Sequence, residues 1–239
     1  MAKKKKEEIV EETVETVENN NPVNETVETC CDCDVTDAYA AGMTQNFTIG
    51  LEELLSLEDI ENRKLLIEGE ITDQTYNRIN YFISRYNAMD FGVSPDERDP
   101  IRIWISSEGG SCYAGLGIME AIRTSQTPII TICNSYALSM GFHIFTMGHK
   151  RYATENAIFL NHEGYDEIWG HPSKNRDYLK FSEKFKERLN NLLIERTGFT
   201  ERDLNETERL ESYMFGDEAK KYKIVDFIIG KDCGIDVIL

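Results

Sequence analysis

Ser139 stands at the junction of two unlike segments. Ile129-Ile-Thr-Ile-Cys133 is a β-branched run of strand length, and Gly141 through Met147 is an apolar stretch of helical character. A serine at such a junction places its hydroxyl at a helix N-terminus, where free N–H groups and the helix dipole favour developing negative charge. That setting suits a nucleophile, and it equally suits an ordinary N-cap. A second junction lies upstream, where Ser106-Ser-Glu-Gly-Gly-Ser111 follows the alternating run Ile101-Arg-Ile-Trp-Ile105. Adjacent glycines there let the backbone approach a ligand and aim an N–H at it. Acyl transfer needs such a donor for the oxyanion of its tetrahedral intermediate, and one donor contributes about 10²–10³ in rate. A base could come from His162, just past the run Arg151–Leu160 and before Gly164. Of the four histidines, His143 is the nearest rival, one helical turn beyond Ser139. Its helix is apolar all round, so His143 reads as a packed core residue, while His149 and His171 read as loop residues.

These residues need a scaffold that brings several strand ends to one edge. Tyr113–Ile122 has helical spacing after the Gly-Gly loop, so two successive βα units end in the glycine pair and in the serine. Leu51–Leu57 reads as a short amphipathic helix, and Arg63–Ile71 as a strand interrupted by Gly69. Thr72-Asp73 starts a helix through about Asn87, and Met89–Pro100 is a polar loop with Pro95 and Pro100. From Ser173 to Arg196 the apolar residues Tyr178, Leu179, Phe181, Phe185, Leu189, Leu192 and Leu193 recur at three-to-four spacing, with Thr197-Gly198 as a stop.

Ser-Ser-Glu-Gly-Gly-Ser with Ala114-Gly115, then Ser139-Met-Gly141, then His162, resembles the proteolytic subunit of the Clp protease. So does Glu206–Ala219 followed by Lys223-Ile-Val-Asp226, and the likeness runs in consistent order over roughly residues 50–230. The resemblance implies a serine endopeptidase with an α/β fold of the crotonase type, built from repeated βαβ units with a protruding handle helix at about 173–196. It implies stacked heptameric rings, a homo-tetradecamer that encloses the active sites and receives unfolded polypeptide from an AAA+ unfoldase. Ser139 matches the nucleophile, His162 the general base, and Gly110 and Met140 the two backbone donors of the oxyanion hole. No metal or organic cofactor is implied.

The chain departs from the family in several places. The third triad member, an aspartate in the family, falls on Glu211. Glutamate has the same charge and can fix the imidazole tautomer, but it is one methylene longer, so its loop must recede by about 1–1.5 Å. Asp217 and Glu208 are weaker substitutes, and a solvated loop carboxylate is the other reading of Glu211. Glu108 replaces the proline before Gly-Gly, Glu163-Gly164 replaces Gln-Pro, and Tyr165–Pro172 replaces a glycine-rich substrate-binding segment. Two rivals therefore remain. A structural, catalytically weak subunit would keep the rings without the chemistry. A crotonase-type acyl-CoA enzyme would share the Gly-Gly loop and need no serine.

A formal charge of −17 over 239 residues argues against nucleic acid as a partner. No apolar run approaches the roughly 20 residues of a membrane span. Lys3–Lys6 lead into Glu-rich sequence rather than the apolar core of a signal peptide. Cys112 and Cys133 fall in core elements and read as buried thiols, which suits a reducing cytoplasm. Residues 1–46, with Glu-Thr-Val repeats and few aromatics, read as a disordered acidic arm ahead of a peptidase domain at 47–239. Cys30-Cys31-Asp-Cys33 has no second ligand pair at zinc-site spacing and is not read as a metal site.

Overall fold

The computed structural model describes residues 51–164 and 168–238. The expected arm, with Cys30, Cys31 and Cys33, lies outside the described residues, as do Tyr165–Glu167. The described residues begin with helix α1 (Leu51–Glu61), strand β1 (Lys64–Ile71), helix α2 (Asp73–Met89) and strand β2 (Ile101–Gly110). Next come α3 (Cys112–Thr124), β3 (Ile129–Cys133), β4 (Tyr136–Leu138), α4 (Met140–Thr146), β5 (Lys150–Thr154) and β6 (Ile158–Asn161). Then follow α5 (Pro172–Arg196), α6 (Glu201–Leu210), β7 (Ser212–Phe215), α7 (Gly216–Lys221) and β8 (Phe227–Ile229). This is the repeated α/β architecture expected above.

One eight-stranded sheet runs β7-β6-β4-β2-β3-β5-β8, with β1 also paired to β2. Its ladders are parallel except β6 with β7. Strand β2 is the hinge of the sheet. Its first half, Ile101–Trp104, pairs with β3, and Ser107 pairs with Ala137 of β4. Alternation in β2 buries Ile101, Ile103 and Ile105 and leaves Arg102 and Trp104 on the other face, whereas all five residues of β3 are buried. The Ile side chains meet α2, α3 and α4 in one core that includes Ile79, Ile118, Phe142, Phe145 and Phe159. Phe145 and Phe159 pack with ring centroids 4.8 Å apart and planes tilted by 50°.

Local signals start and stop the helices as their chemistry dictates. Thr72 caps α2 and exchanges hydrogen bonds with Thr75 in a capping box. At the other end of α2, buried Asp90 takes two hydrogen bonds from Arg63, both 2.7 Å, and a third from Thr127 Oγ1. This bidentate pair ties the Met89–Pro100 loop to the start of β1, and it holds the Asp90 carboxyl below its usual range. Helix α5 divides along its length. Leu189 and Leu193 are buried in the core, while Leu179 and Phe181 near its start are each 50% exposed.

Candidate active site

The register of the short strands fixes where Ser139 and His162 meet. Leu138 of β4 lies opposite Leu160 of β6, and the Ser139 N–H donates to the Leu160 carbonyl at 2.9 Å. The chain leaves β6 at Asn161, so the next residue, His162, emerges beside the end of β4. Its Nε2 lies 2.9 Å from Ser139 Oγ. Ser139 has φ 52° and ψ −121°, a strained conformation for a residue with a Cβ, and its side chain makes no capping bond to α4. The N-cap alternative therefore fails: the hydroxyl is directed at imidazole rather than at the helix amides.

Gly109 packs directly against this elbow, and Gly110 against the end of β1. A Cβ on Gly109 would lie 2.7 Å from Ser139 Cβ and 3.0 Å from Met140 N, and φ at Gly109 is 105°. A Cβ on Gly110 would meet the Ile71 carbonyl oxygen at 2.5 Å, with φ 141°. Only glycine fits either position. Ser107 holds the bulged end of β2 in place, donating to the Gly69 carbonyl at 2.6 Å and accepting from the Gly109 N–H at 3.1 Å. Met140 is the first residue of α4, so its amide has no acceptor within the helix. The Met140 amide thus follows Ser139 directly, whereas Gly110, at the end of β2, lies against Ile71.

Glu211 arrives by a different route. It occupies the turn between α6 and β7 at φ 47°, and β7 pairs antiparallel with β6 so that Ser212 faces Asn161. That register sets Glu211 near His162, with Oε1 3.8 Å from Nδ1, beyond hydrogen-bond length, and its side chain 68% exposed. Asp217 lies near Lys231 instead, and the Glu208 side chain is outside the described residues. Glu163 accepts an ion pair from Lys186 of α5 at 2.7 Å, and the ammonium holds its carboxyl below the ordinary range.

The remaining histidines are spent on structure or buried. His149 Nδ1 accepts from the Ile129 N–H at 2.9 Å, and His171 caps α5 through Ser173. His143 is buried as expected, and burial together with nearby His162 pushes its imidazole down to about 4.

A cavity of about 270 Å³ opens beside Ser139 and His162, bounded across from them by α5 through Phe185, Leu189 and Lys186. The sequence stripe on α5 was visible without its destination, because spacing reveals an apolar face but not what it covers. Cys112 corrects the reading of a core thiol. It is the first residue of α3, is exposed, and lines this cavity. Cys133 is buried, and burial pushes its thiol up to about 12.

Among the described residues no group of three or more His, Cys, Asp or Glu is disposed to hold a metal ion. No helix among them is long and apolar enough to cross a membrane. The sequence matches the Clp protease family over residues 54–232, a span that takes in every strand, the glycine pair, Ser139, His162 and the handle-like helix α5. The chain belongs to the Clp protease family and carries a peptidase domain like that of its proteolytic subunit.

Proposed function

We propose that the protein is a serine endopeptidase that cleaves unfolded polypeptides through an acyl-enzyme. The observation that carries this reading is the 2.9 Å contact between Ser139 Oγ and His162 Nε2 on a backbone elbow strained at Ser139. With its hydrogen on Nδ1, His162 takes the Ser139 proton at Nε2 as Oγ attacks the peptide carbonyl carbon. The Gly110 and Met140 N–H groups receive the oxyanion. His162 then gives its proton to the leaving amine as the C–N bond breaks. Water, deprotonated by the same imidazole, releases the acyl group and restores the serine. Glu211 acts by attraction on His162 across 3.8 Å, favouring the imidazolium that forms.

Family membership supports the rest of the reading: a cytoplasmic homo-oligomer of stacked heptameric rings, fed by a Clp-type AAA+ unfoldase, with an arm at 1–46 preceding a peptidase domain at 47–239. A fluorophosphonate probe with native mass measurement tests activity and ring size together. Labelling is expected on Ser139 and lost in Ser139→Ala, in a species of tetradecamer mass. Labelling elsewhere, or unchanged in Ser139→Ala, sinks the mechanism. The long, exposed Glu211 contact favours one second reading, a structural subunit of low activity. It predicts the same rings without label, and label on a co-assembled active subunit.

A further inference from the structure

The wall of the cavity beside Ser139 contains an imidazole that the reaction above does not use. His143 lies one turn of α4 beyond Ser139, whose carbonyl accepts its backbone N–H at 3.2 Å, and it is 8% exposed. Its ring lines the cavity with Met140, Phe185 and Leu189. Its Nδ1 is shielded from solvent and has no hydrogen-bond partner among the described residues. On one side it packs edge-on against Phe142, centroids 5.8 Å apart. A buried polar atom without a partner costs stability, and an apolar side chain would fill the same position without that cost. The residue that carries this orphan lines the cavity where a substrate side chain would enter.

We propose that His143 is a specificity-determining residue. It recognises the substrate residue on the acyl side of the scissile bond and favours a long, uncharged side chain ending in a hydrogen-bonding group. Glutamine is the best fit, over methionine of similar length. The inference rests on Ser139 being the nucleophile, since that places the acyl-side residue at the mouth of this cavity. Tyr113 and Phe185, with ring centroids 5.7 Å apart, and Leu189 give the methylenes an apolar wall. Whichever ring nitrogen faces the cavity, as donor or as acceptor, a carboxamide can meet it, because it carries both complements. Rotating the ring by 180° exchanges Nδ1 with a ring carbon and carries it to the opposite edge of the ring without moving α4. Charged side chains fit poorly. The imidazole supplies no countercharge, and at the rim Glu163 and Lys186 are paired with each other.

Two peptides identical except for Gln or Met before the scissile bond test this. Wild type is expected to show a kcat/KM about tenfold higher for the Gln peptide, the ratio one net hydrogen bond gives. In His143→Phe the preference should vanish or reverse while Ser139 still labels with fluorophosphonate. Equal turnover of the two peptides by wild type, or an unchanged preference in His143→Phe, overturns the inference and leaves the peptidase reading intact. Failure of Ser139 to label would overturn the peptidase reading instead. Ser139→Ala keeps His143 and the cavity without chemistry, so the two dissociation constants read the preference directly. The Gln peptide should bind about tenfold tighter, and equal affinities, tighter Met binding or no binding of either peptide would refute the assignment.

Discussion

Ser139 and Glu211 share a backbone oddity and little else. Both are non-glycine residues at positive φ, 52° and 47°. Ser139 is followed by Met140, Gly141 and Phe142, all buried, and its N–H is bonded to the end of β6. Glu211 sits in a turn with its side chain 68% exposed, 3.8 Å from the imidazole it faces. Strain persists where the surroundings over-determine it and relaxes where they do not. Ser139 is therefore preorganised by the core, whereas the Glu211 carboxylate is held only by the turn that carries it. Catalytic power in this site should reside mainly in the elbow, the glycine pair and His162, with the carboxylate a modest helper.

The comparison breaks most sharply at Ser139→Gly. Removing Oγ should cut peptide hydrolysis by about 10⁶. Because glycine accepts a φ of 52° freely, the same change should raise unfolding free energy by about 1 kcal/mol in urea titrations. Activity lost with no gain in stability would mean that the elbow is not under strain. Gly109→Ala probes the same packing from the other side. Its Cβ would press on Ser139 Cβ at 2.7 Å and on backbone atoms of Leu138 and Met140 at 3.0 Å, none of which can swing aside. A loss of about 10³ in the rate of probe labelling is expected, the scale of a misplaced oxyanion donor. A rate within threefold or so of wild type would show that the Gly-Gly loop does not position the elbow.

Acid should destabilise the elbow side of the site. His143 sits near 4 in the folded protein, below the ordinary 6.5. Above 6.5 the imidazole is neutral in both states and contributes no difference. Between 6.5 and 4 the unfolded chain takes up a proton that the folded chain refuses, so stability falls as pH drops, by about 3 kcal/mol over the window. Urea unfolding at pH 7 and 4.5 should show most of that loss in wild type and much less of it in His143→Phe. Equal losses in the two proteins would place the acid-sensitive group elsewhere.

Glu211→Gln tests the weaker half of the comparison. A buried aspartate in this role is worth about 10⁴ in kcat. Exposure and the 3.8 Å gap reduce the expectation for Glu211 to about tenfold, read as kcat for a fluorogenic peptide. A loss near 10⁴ would show that the loop closes on His162 when substrate binds.

The site's residue types were legible in the sequence; its distances were not. Ser139 and Gly109-Gly110 could be found because each lies beyond a β-branched or alternating run of the sequence, where a serine or glycine punctuates it. Strand β4, three residues long, could not be seen, since periodicity carries no signal over so short a run. Yet its pairing with β6 is what sets Ser139 against His162, and the run Arg151–Leu160 holds parts of two strands, β5 and β6. Glu211 was located by likeness alone, and its exposure depends on how β7 docks against β6. Cys112 was misplaced because a helix start next to a cavity looks, in sequence, like any core helix start.

The smallest expected effect concerns the rim, where Lys186 of α5 reaches Glu163, the residue after His162. If surroundings alone separate the elbow from the Glu211 turn, a surface tether on the His162 loop should matter little. Both side chains are well exposed, 44% and 62%, and exposed pairs contribute weakly. Lys186→Met keeps the stem that lines the cavity and removes the charge. The variant should lower kcat/KM by no more than about twofold. Raising ionic strength from about 0.1 to 1 M, which shortens the screening length from about 10 to 3 Å, should change wild type equally little. A loss of about tenfold or more in either experiment would mean that His162 is held by α5 rather than by the end of β6. The contrast between a core-set Ser139 and a loosely set Glu211 would then extend to His162 itself.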